Sequence, residues 1–575
     1  MRTVERGVAL RELIGQILLK NTGLTPAQLD EALEFQKRQP ERDRLGAILV
    51  SRGVITPHEL LHALGGQWGL EVMETIPPAL VDRQLVLGFP FEFLQKHSIL
   101  PLTGGNGGLI VALADPLNVK AFDAVANMVR RPCTRVLCTA AALEEALTRC
   151  YYQEGDSSSA ILKPLAENED LIRTAGEAQT EDLMDVANRA PIVKLVNTIF
   201  YQAVASRASD IHIEPYERDV RVRFRIDGVL RERFTPPKAY VGALISRLKI
   251  MAHLNIAEQR LPQDGRSRIK IGDKEIDIRV STIPTSGGER VVLRLLDKSS
   301  AVFQLSDLGF APETENRFRK LSRISHGIVL LTGPTGSGKT TTLYGALTEI
   351  NTEERNILTA EDPVEYVLPG VGQMQVHPKI GLTFASCLRH ILRQDPNVIM
   401  VGEIRDRETA EIAVQAALTG HLVFSTLHTN DSASAFTRLL DMSIEAYLVS
   451  SSVIAVMAQR LVRVVCPRCK EPHPPAAEER AALGPSVRPD TLLYRGKGCD
   501  HCVTTGYYGR TGIAELLTVD DETREQIMKR LGANLIKQAA VRKGMVTLRD
   551  DGIVKVLAGS TTLDEVLRVT QDDVL

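Results

Sequence analysis

The sequence predicts a multidomain α/β chain, and three observations carry that expectation. The chain has 575 residues, it holds a phosphate-binding loop between an apolar strand and a helix, and it carries two cysteine pairs further on. One hydrophobic core seldom organises so long a chain, so about three to five domains are expected. The loop is Gly333-Pro334-Thr335-Gly336-Ser337-Gly338-Lys339-Thr340, between the strand pattern Gly327–Thr332 and the helix-compatible Thr341-Thr342-Leu343-Tyr344. Its glycines let the backbone aim N–H groups at a β-phosphate, Lys339 adds charge near the β and γ oxygens, and Thr340 offers a hydroxyl to Mg²⁺. Residues Gly333 to Thr341 are therefore the expected nucleotide-binding set.

From the N-terminus, one unit occurs twice. Ile14-Gly15-x-x-Leu18 with Thr25-Pro26, Leu29, Leu33 and Gln36 recurs as Leu45-Gly46-x-x-Leu49 with Thr56-Pro57, Leu60, Leu64 and Gln67. Thr-Pro starts a helix and leucines four apart give it an apolar stripe, so each unit reads as two short helices around a turn, in a helical module over 1–75. Residues 76–152 read as a small α/β module with a strand at Leu109–Leu113 and a helix at Ala140–Cys150. A Ser-, Glu- and Gly-rich linker is expected over 153–181. After it, 182–305 reads as a helix and then β-rich: Val220 to Ile226 alternate and close on Asp227-Gly228, and a second hairpin is expected around Gly272-Asp273. The nucleotide-binding core is assigned to 306–465, a tetracysteine element to 466–515 and a helical region to 516–575.

Formal net charge is −2 and 24% of residues are charged, which gives no general reason to expect nucleic acid or an anionic membrane as partner. No apolar run reaches the roughly 18 residues of a membrane span, and the first residues lack a signal-peptide core, so a cytoplasmic protein is expected.

Hydrolysis needs a carboxylate to orient water and a cation to neutralise developing charge. Strand-like Ile357–Ala360 delivers Glu361, Asp362 and Glu365, strand-like Val398–Gly402 delivers Glu403, and Leu422–Thr426 ends near His428. Carboxyl ends of parallel strands lie beside the phosphate loop in such sheets. Cys466-x-x-Cys469 and Cys499-x-x-Cys502 offer four thiolates to a tetrahedral Zn²⁺ of structural kind, and a cytosolic setting disfavours disulfides. Cys133, Cys138, Cys150 and Cys387 show no such arrangement.

These segments carry a family resemblance. Gly333–Thr340, Glu361-Asp362-Pro363-Val364-Glu365, Met400–Asp406 and His421–Asn430 resemble the Walker A, aspartate, Walker B and histidine boxes of the type II/IV secretion and pilus ATPase superfamily. Ala208–Pro215 and Leu261–Arg266 resemble its upstream domain, and within the superfamily the chain looks most like the assembly ATPases of type II secretion systems. The resemblance implies a RecA-like P-loop core with a zinc-knuckle insertion and a PAS-like β-rich domain. It implies a hexamer hydrolysing ATP with Mg²⁺, with Glu403 polarising the attacking water and Lys339, Glu361 and His428 in the site. Arg279 and Arg294 match arginines that reach the triphosphate from the β-rich domain, and Arg389 and Arg393 match basic residues of the core. Read from their strands alone, a charged exposed sheet face is the alternative for Arg279 and Arg294.

Implied partners are other copies of the chain, the cytoplasmic domain of an inner-membrane secretion protein and an inner-membrane platform protein, with the chain peripheral to the inner membrane. Powering of pseudopilus assembly is the expected function and type IV pilus assembly the alternative. A nucleic-acid translocase and a regulatory protein of little turnover are readings from other classes. The second N-terminal repeat, Arg44-Leu45-Gly46-x-x-Leu49 with Gly53, Leu60, Leu64 and Gln67, also resembles a cyclic di-GMP-binding module; the first departs at Leu13-Ile14 and Thr22.

Overall fold

Each N-terminal repeat forms two helices around a turn: α1 (Ile14–Asn21) and α2 (Pro26–Arg38), then α3 (Leu45–Ser51) and α4 (Pro57–Trp68). Thr56 caps α4 by accepting the Glu59 N–H, and the Glu59 carboxylate accepts the Thr56 N–H in return at 2.7 Å. A side chain at Gly46 would meet Leu60 at 2.5 Å, so glycine is what lets the helices close on Leu18, Ile48 and Leu49. This computed structural model describes residues 13–38, 44–82, 85–86, 89, 91–104, 108–129, 131–152, 190–271, 274–297, 304–484, 488 and 491–571. The expected linker at 153–181 and the Gly272-Asp273 turn lie outside the described residues.

The α/β module holds β1 (Glu71–Val72), β2 (Ile99–Thr103), β3 (Leu109–Leu113) and β4 (Cys133–Leu137) in the order β1-β4-β3-β2, with helices Val119–Val129 and Ala140–Tyr152. After helix Ala190–Ala205 come β5 (Ala208–Pro215), β6 (Val220–Ile226), β7 (Val229–Phe234), β8 (Gln263–Ile271), β9 (Lys274–Thr285) and β10 (Gly288–Asp297), in the sheet order β7-β6-β5-β10-β9-β8. Along β6, Val220, Val222, Phe224 and Ile226 are buried while Arg221, Arg223 and Arg225 point the other way, as period-two alternation requires.

The core sheet is built from β11 (Gly327–Thr332), β12 (Ile357–Glu361), β13 (Gly372–Gln375), β14 (Val398–Val401), β15 (Leu422–Leu427) and β16 (Val453–Val465). The short β17 (Lys470–His473) and β18 (Leu493–Gly496) pair with each other, and β19 (Tyr507–Thr518) returns to the core. Its order is β13-β12-β14-β15-β11-β16-β19, parallel except where β19 runs back against β16. Every residue of β11, β14 and β15 is buried, which is why these strands read as mostly apolar runs, with Ser425 and Thr426 in β15, rather than alternating ones. The cysteine pairs thus sit in the excursion between two neighbouring strands of the core sheet.

The chain divides into two compact units, one holding the described residues of 1–205, 212–223 and 232–293, the other those of 206–211, 224–231 and 294–571. Among the described residues no helix is long and apolar enough to cross a membrane.

Candidate functional site

The second unit places the carboxyl ends of β12, β14, β15 and β11 side by side, and the functional segments leave the sheet there. Buried hydroxyls align these ends: Ser425 donates to the Val401 carbonyl at 2.8 Å and Thr426 to that of Gly402 at 2.7 Å. A cleft of roughly 570 Å³ opens above them, lined by Thr335 to Thr341 of the loop, by Glu361, Asp362 and Glu365, by Glu403 and Arg405, and by His428.

Gly333, Gly336 and Gly338 have φ of 146°, 81° and 90°, a region that disfavours side chains. A Cβ at Gly333 would meet the Gln459 carbonyl at 2.5 Å. Gly333 and Pro334 do not line the cleft; their carbonyls accept from the Lys339 ammonium at 2.7 and 3.1 Å. Lys339 is 9% exposed, and burial brings its pKa down to about 8, with Glu403 opposing the shift and Arg460 adding to it. The Ser337 hydroxyl is buried without a hydrogen-bond partner at the N-terminus of helix Lys339–Ile350. An orphaned hydroxyl, an ammonium resting on its own loop and a helix N-terminus suit a phosphate ligand. Thr340 is exposed on the cleft, open to a cation held between it and the phosphates.

Glu403 has a side chain 15% exposed, accepts from Arg405, and lies 3.2 Å from Nε2 of His428. Burial, the largest influence, raises its pKa, but Arg405 and His428 more than reverse this, so the group stays an ionised acceptor. Glu361 differs. It is 3% exposed and accepts from Tyr344, from Thr359 at 2.7 Å and from Gln373 at 2.9 Å, so its oxygens are already engaged by the chain. Arg294 lines the cleft and donates to Asp210 at 3.0 Å. Arg279 belongs to the first unit, on β9 opposite Arg266 of β8. Arg389 and Arg393 do not line the cleft: Arg389 pairs with Glu408 of the following helix, and Arg393 lies 2.6 Å from His390.

Sequence pattern alone gives no role to Arg405, Tyr344 or Arg510, all of which line the cleft. Arg510 lines the cleft from β19, some 170 positions after the phosphate loop, and its signal was a Gly-Arg-Thr-Gly run at the strand's start. Only the antiparallel return of β19 onto β16 makes that run adjacent to the loop.

The four cysteine sulfurs lie within 4.8 Å of one another, with Cys466–Cys499 and Cys469–Cys502 at 3.8 Å and Cys499–Cys502 at 3.7 Å. A disulfide needs about 2.05 Å, whereas a tetrahedral Zn²⁺ with bonds of about 2.3 Å sets its sulfurs about 3.8 Å apart. Backbone N–H groups of Gly498, Cys499 and Gly506 donate to these sulfurs, as thiolate ligands require. Burial raises the Cys502 thiol, yet the N–H groups of Cys499 and Gly506 bring it down to about 7. His501 stacks on Tyr508 with ring centroids 4.0 Å apart, so its ring is engaged outside the four-sulfur set. Cys138, Cys150 and Cys387 are buried and Cys133 half-buried, apart from this cluster.

Residues 185–568 match the type II/IV secretion system protein family, and residues 68–157 the MshEN domain, which falls on the α/β module rather than on the helical repeats. Type II secretion system protein E of Aeromonas hydrophila is 52% identical over 431 residues, 75% of this chain and 86% of its own. Type II secretion system ATPase E of Vibrio cholerae is 46% identical over 500 residues, 86% of this chain and 99% of its own. The type IV pilus assembly ATPase PilB of Myxococcus xanthus is 43% identical over 565 residues, 97% of this chain and 99% of its own. With a phosphate loop, an adjacent partnered carboxylate and this extent of likeness, the chain belongs to the type II/IV secretion ATPase family.

Proposed function

We propose that this chain is the motor of a type II secretion system, a hexameric ATPase whose domain motions drive pseudopilus assembly through an inner-membrane platform. The observation that carries the hydrolytic part is Glu403, an ionised carboxylate at a strand end beside Lys339, held by Arg405 and His428. The phosphate loop holds ATP, Thr340 holds Mg²⁺, which screens the phosphate charge, and Glu403 orients the attacking water. Lys339 exchanges its two loop carbonyls for phosphate oxygens. Arg294 reaches the phosphates on leaving Asp210, and Arg279 reaches them when the β-rich domain closes. Glu361 fixes the phosphate-loop helix through Tyr344. Cys466, Cys469, Cys499 and Cys502 hold a structural Zn²⁺.

The N-terminal region recruits the motor to the inner membrane through the cytoplasmic domain of a membrane protein. Its second repeat also takes up cyclic di-GMP through Arg44; that guanidinium lies 2.7 Å from Asp115, which the ligand displaces. Calorimetry on the full chain tests this, and no heat at micromolar ligand removes it. Type IV pilus assembly is the second reading, favoured by the PilB relative matching 97% of this chain. Multiple-turnover phosphate release by purified protein, absent in Glu403→Gln, tests the enzyme. Restoration of export in a strain lacking its type II ATPase, set against restoration of pili in one lacking its pilus ATPase, decides the partner.

A further inference from the structure

The loop 428–433 presents His428 to Glu403, and it is held from outside at every turn. Thr429 exchanges hydrogen bonds with the Thr332 hydroxyl at the foot of the phosphate loop, at 2.7 and 2.8 Å, and the Asn430 carbonyl accepts from Arg460 at 2.8 Å. On the far side, Ser432 donates its N–H at 3.1 Å and its hydroxyl at 2.5 Å to one oxygen of Glu515, a β19 carboxylate with no exposed surface. The other oxygen faces the Lys537 ammonium at 3.4 Å, and Lys537 also lies 3.9 Å from Asp431 of the same loop. Lys537 comes from helix Ala533–Arg542 near the C-terminus. Through Lys537, ion pairs to Glu515 and Asp431 thus tie a C-terminal helix to the segment that carries His428.

We propose that Lys537 and Glu515 are a positioning pair for ATP hydrolysis: they fix the 428–433 loop, and through it set His428 against Glu403. This rests on the role proposed above for Glu403 and His428. A carboxylate taken out of water needs a counter-charge to remain an acceptor for two donors at once. Burial does push Glu515 toward its neutral form, with Lys537 and Ser432 opposing that push. Without Lys537 the buried carboxylate loses its counter-charge and Asp431 its contact at 3.9 Å, so the loop loses its far anchor. Glutamine at 515 keeps a carbonyl acceptor for Ser432 and needs no counter-charge, so it should repair the loss of Lys537.

The test compares the full-length parent with His428→Ala, Lys537→Met, Lys537→Arg, the double variant Lys537→Met/His428→Ala and the double variant Lys537→Met/Glu515→Gln. Hydrolysis gives kcat and KM, and a non-hydrolysable nucleotide gives Kd. Lys537→Met is expected to lower kcat about ten- to hundredfold, with KM and Kd within about twofold, since displacing a group by about 1 Å has that cost. Lys537→Arg and the Glu515→Gln double variant should return most of the rate. In the His428→Ala background the same Lys537 change should cost no more than about twofold, because both act on one contact. A full loss persisting in that background, or an unchanged kcat in Lys537→Met, overturns the pair. Parent-level hydrolysis by His428→Ala overturns the reading it rests on instead.

Discussion

The nucleotide cleft and the tetracysteine cluster lie in one compact unit but are held together in opposite ways. In the cleft three of the charges already have partners in the chain: Lys339 its loop carbonyls, Glu403 its arginine and histidine, Arg294 its aspartate. Glu403 follows the buried parallel strand β14, Lys339 opens the phosphate-loop helix and Arg294 lies on β10, and none of the three belongs to the apolar core of the sheet. The four cysteines instead converge on a point between them, on a two-stranded excursion with little core of its own. Removing a cleft residue should therefore remove chemistry and spare the fold, whereas removing a cysteine should remove local fold and spare the chemistry.

The largest effect expected is in the cleft. Glu403→Gln should retain nucleotide affinity and lose about 10²- to 10⁴-fold in kcat, the range a positioned general base supplies. Lys339→Ala should instead weaken binding. Parallel measurement of nucleotide affinity and phosphate release checks both, and near-parent turnover by Glu403→Gln would take the residue out of the mechanism.

At the cluster, purified protein should contain about one zinc per chain, and Cys466→Ser should lose it, since three thiolates no longer close the tetrahedron. Proteolysis should then cut within 466–506, while nucleotide affinity stays within about threefold, as the phosphate loop is built on other strands. Elemental analysis with limited digestion reads both; a metal-free parent that resists digestion would collapse the contrast.

How much of each region was legible in the sequence follows the same division. Phosphate loop and cysteine pairs are local patterns whose spacing states their chemistry, and the strands that lead to Glu361, Glu403 and His428 are short, mostly apolar runs. Arg510 was not legible, because its place in the cleft depends on a pairing between strands separated by the whole cysteine excursion. The partners of Glu361 were hidden too: Tyr344 and Gln373 lie 17 residues before and 12 after it, and only helix and sheet packing joins them. The segment boundaries proved least readable at β19, which belongs to the core sheet although it follows the second cysteine pair.

A smaller effect concerns pH. In the free protein Lys339 titrates near pH 8, below the ordinary lysine value, because burial disfavours its charge. A bound triphosphate favours the charged form, so above pH 8 binding must take up a proton and affinity falls as pH rises, by about tenfold per unit. Below pH 8 this dependence disappears. Titration of nucleotide affinity from pH 7 to 9.5, above the phosphate's own ionisation at about 6, reads it out. A flat profile would mean that the loop carbonyls keep Lys339 charged throughout.

The smallest effect sharpens the comparison most, because Glu361 sits in the cleft yet is held as a structural group. Tyr344→Phe removes the donor to one of its oxygens and leaves that oxygen buried, since Thr359 and Gln373 both serve the other. An unsatisfied buried acceptor costs about 1–3 kcal/mol, so the unfolding free energy from denaturant titration should drop by that amount and the midpoint should move to lower concentration. Hydrolysis should fall only severalfold, through loosening of the phosphate-loop helix that carries Tyr344. Glu361→Gln should produce a similar pair of changes, and the double variant should add little to either, because the two residues share one contact. If Tyr344→Phe leaves stability untouched and Glu361→Gln abolishes turnover, Glu361 acts on the reacting water directly. It would then stand beside Glu403 in the chemistry rather than beside the cysteines in the architecture.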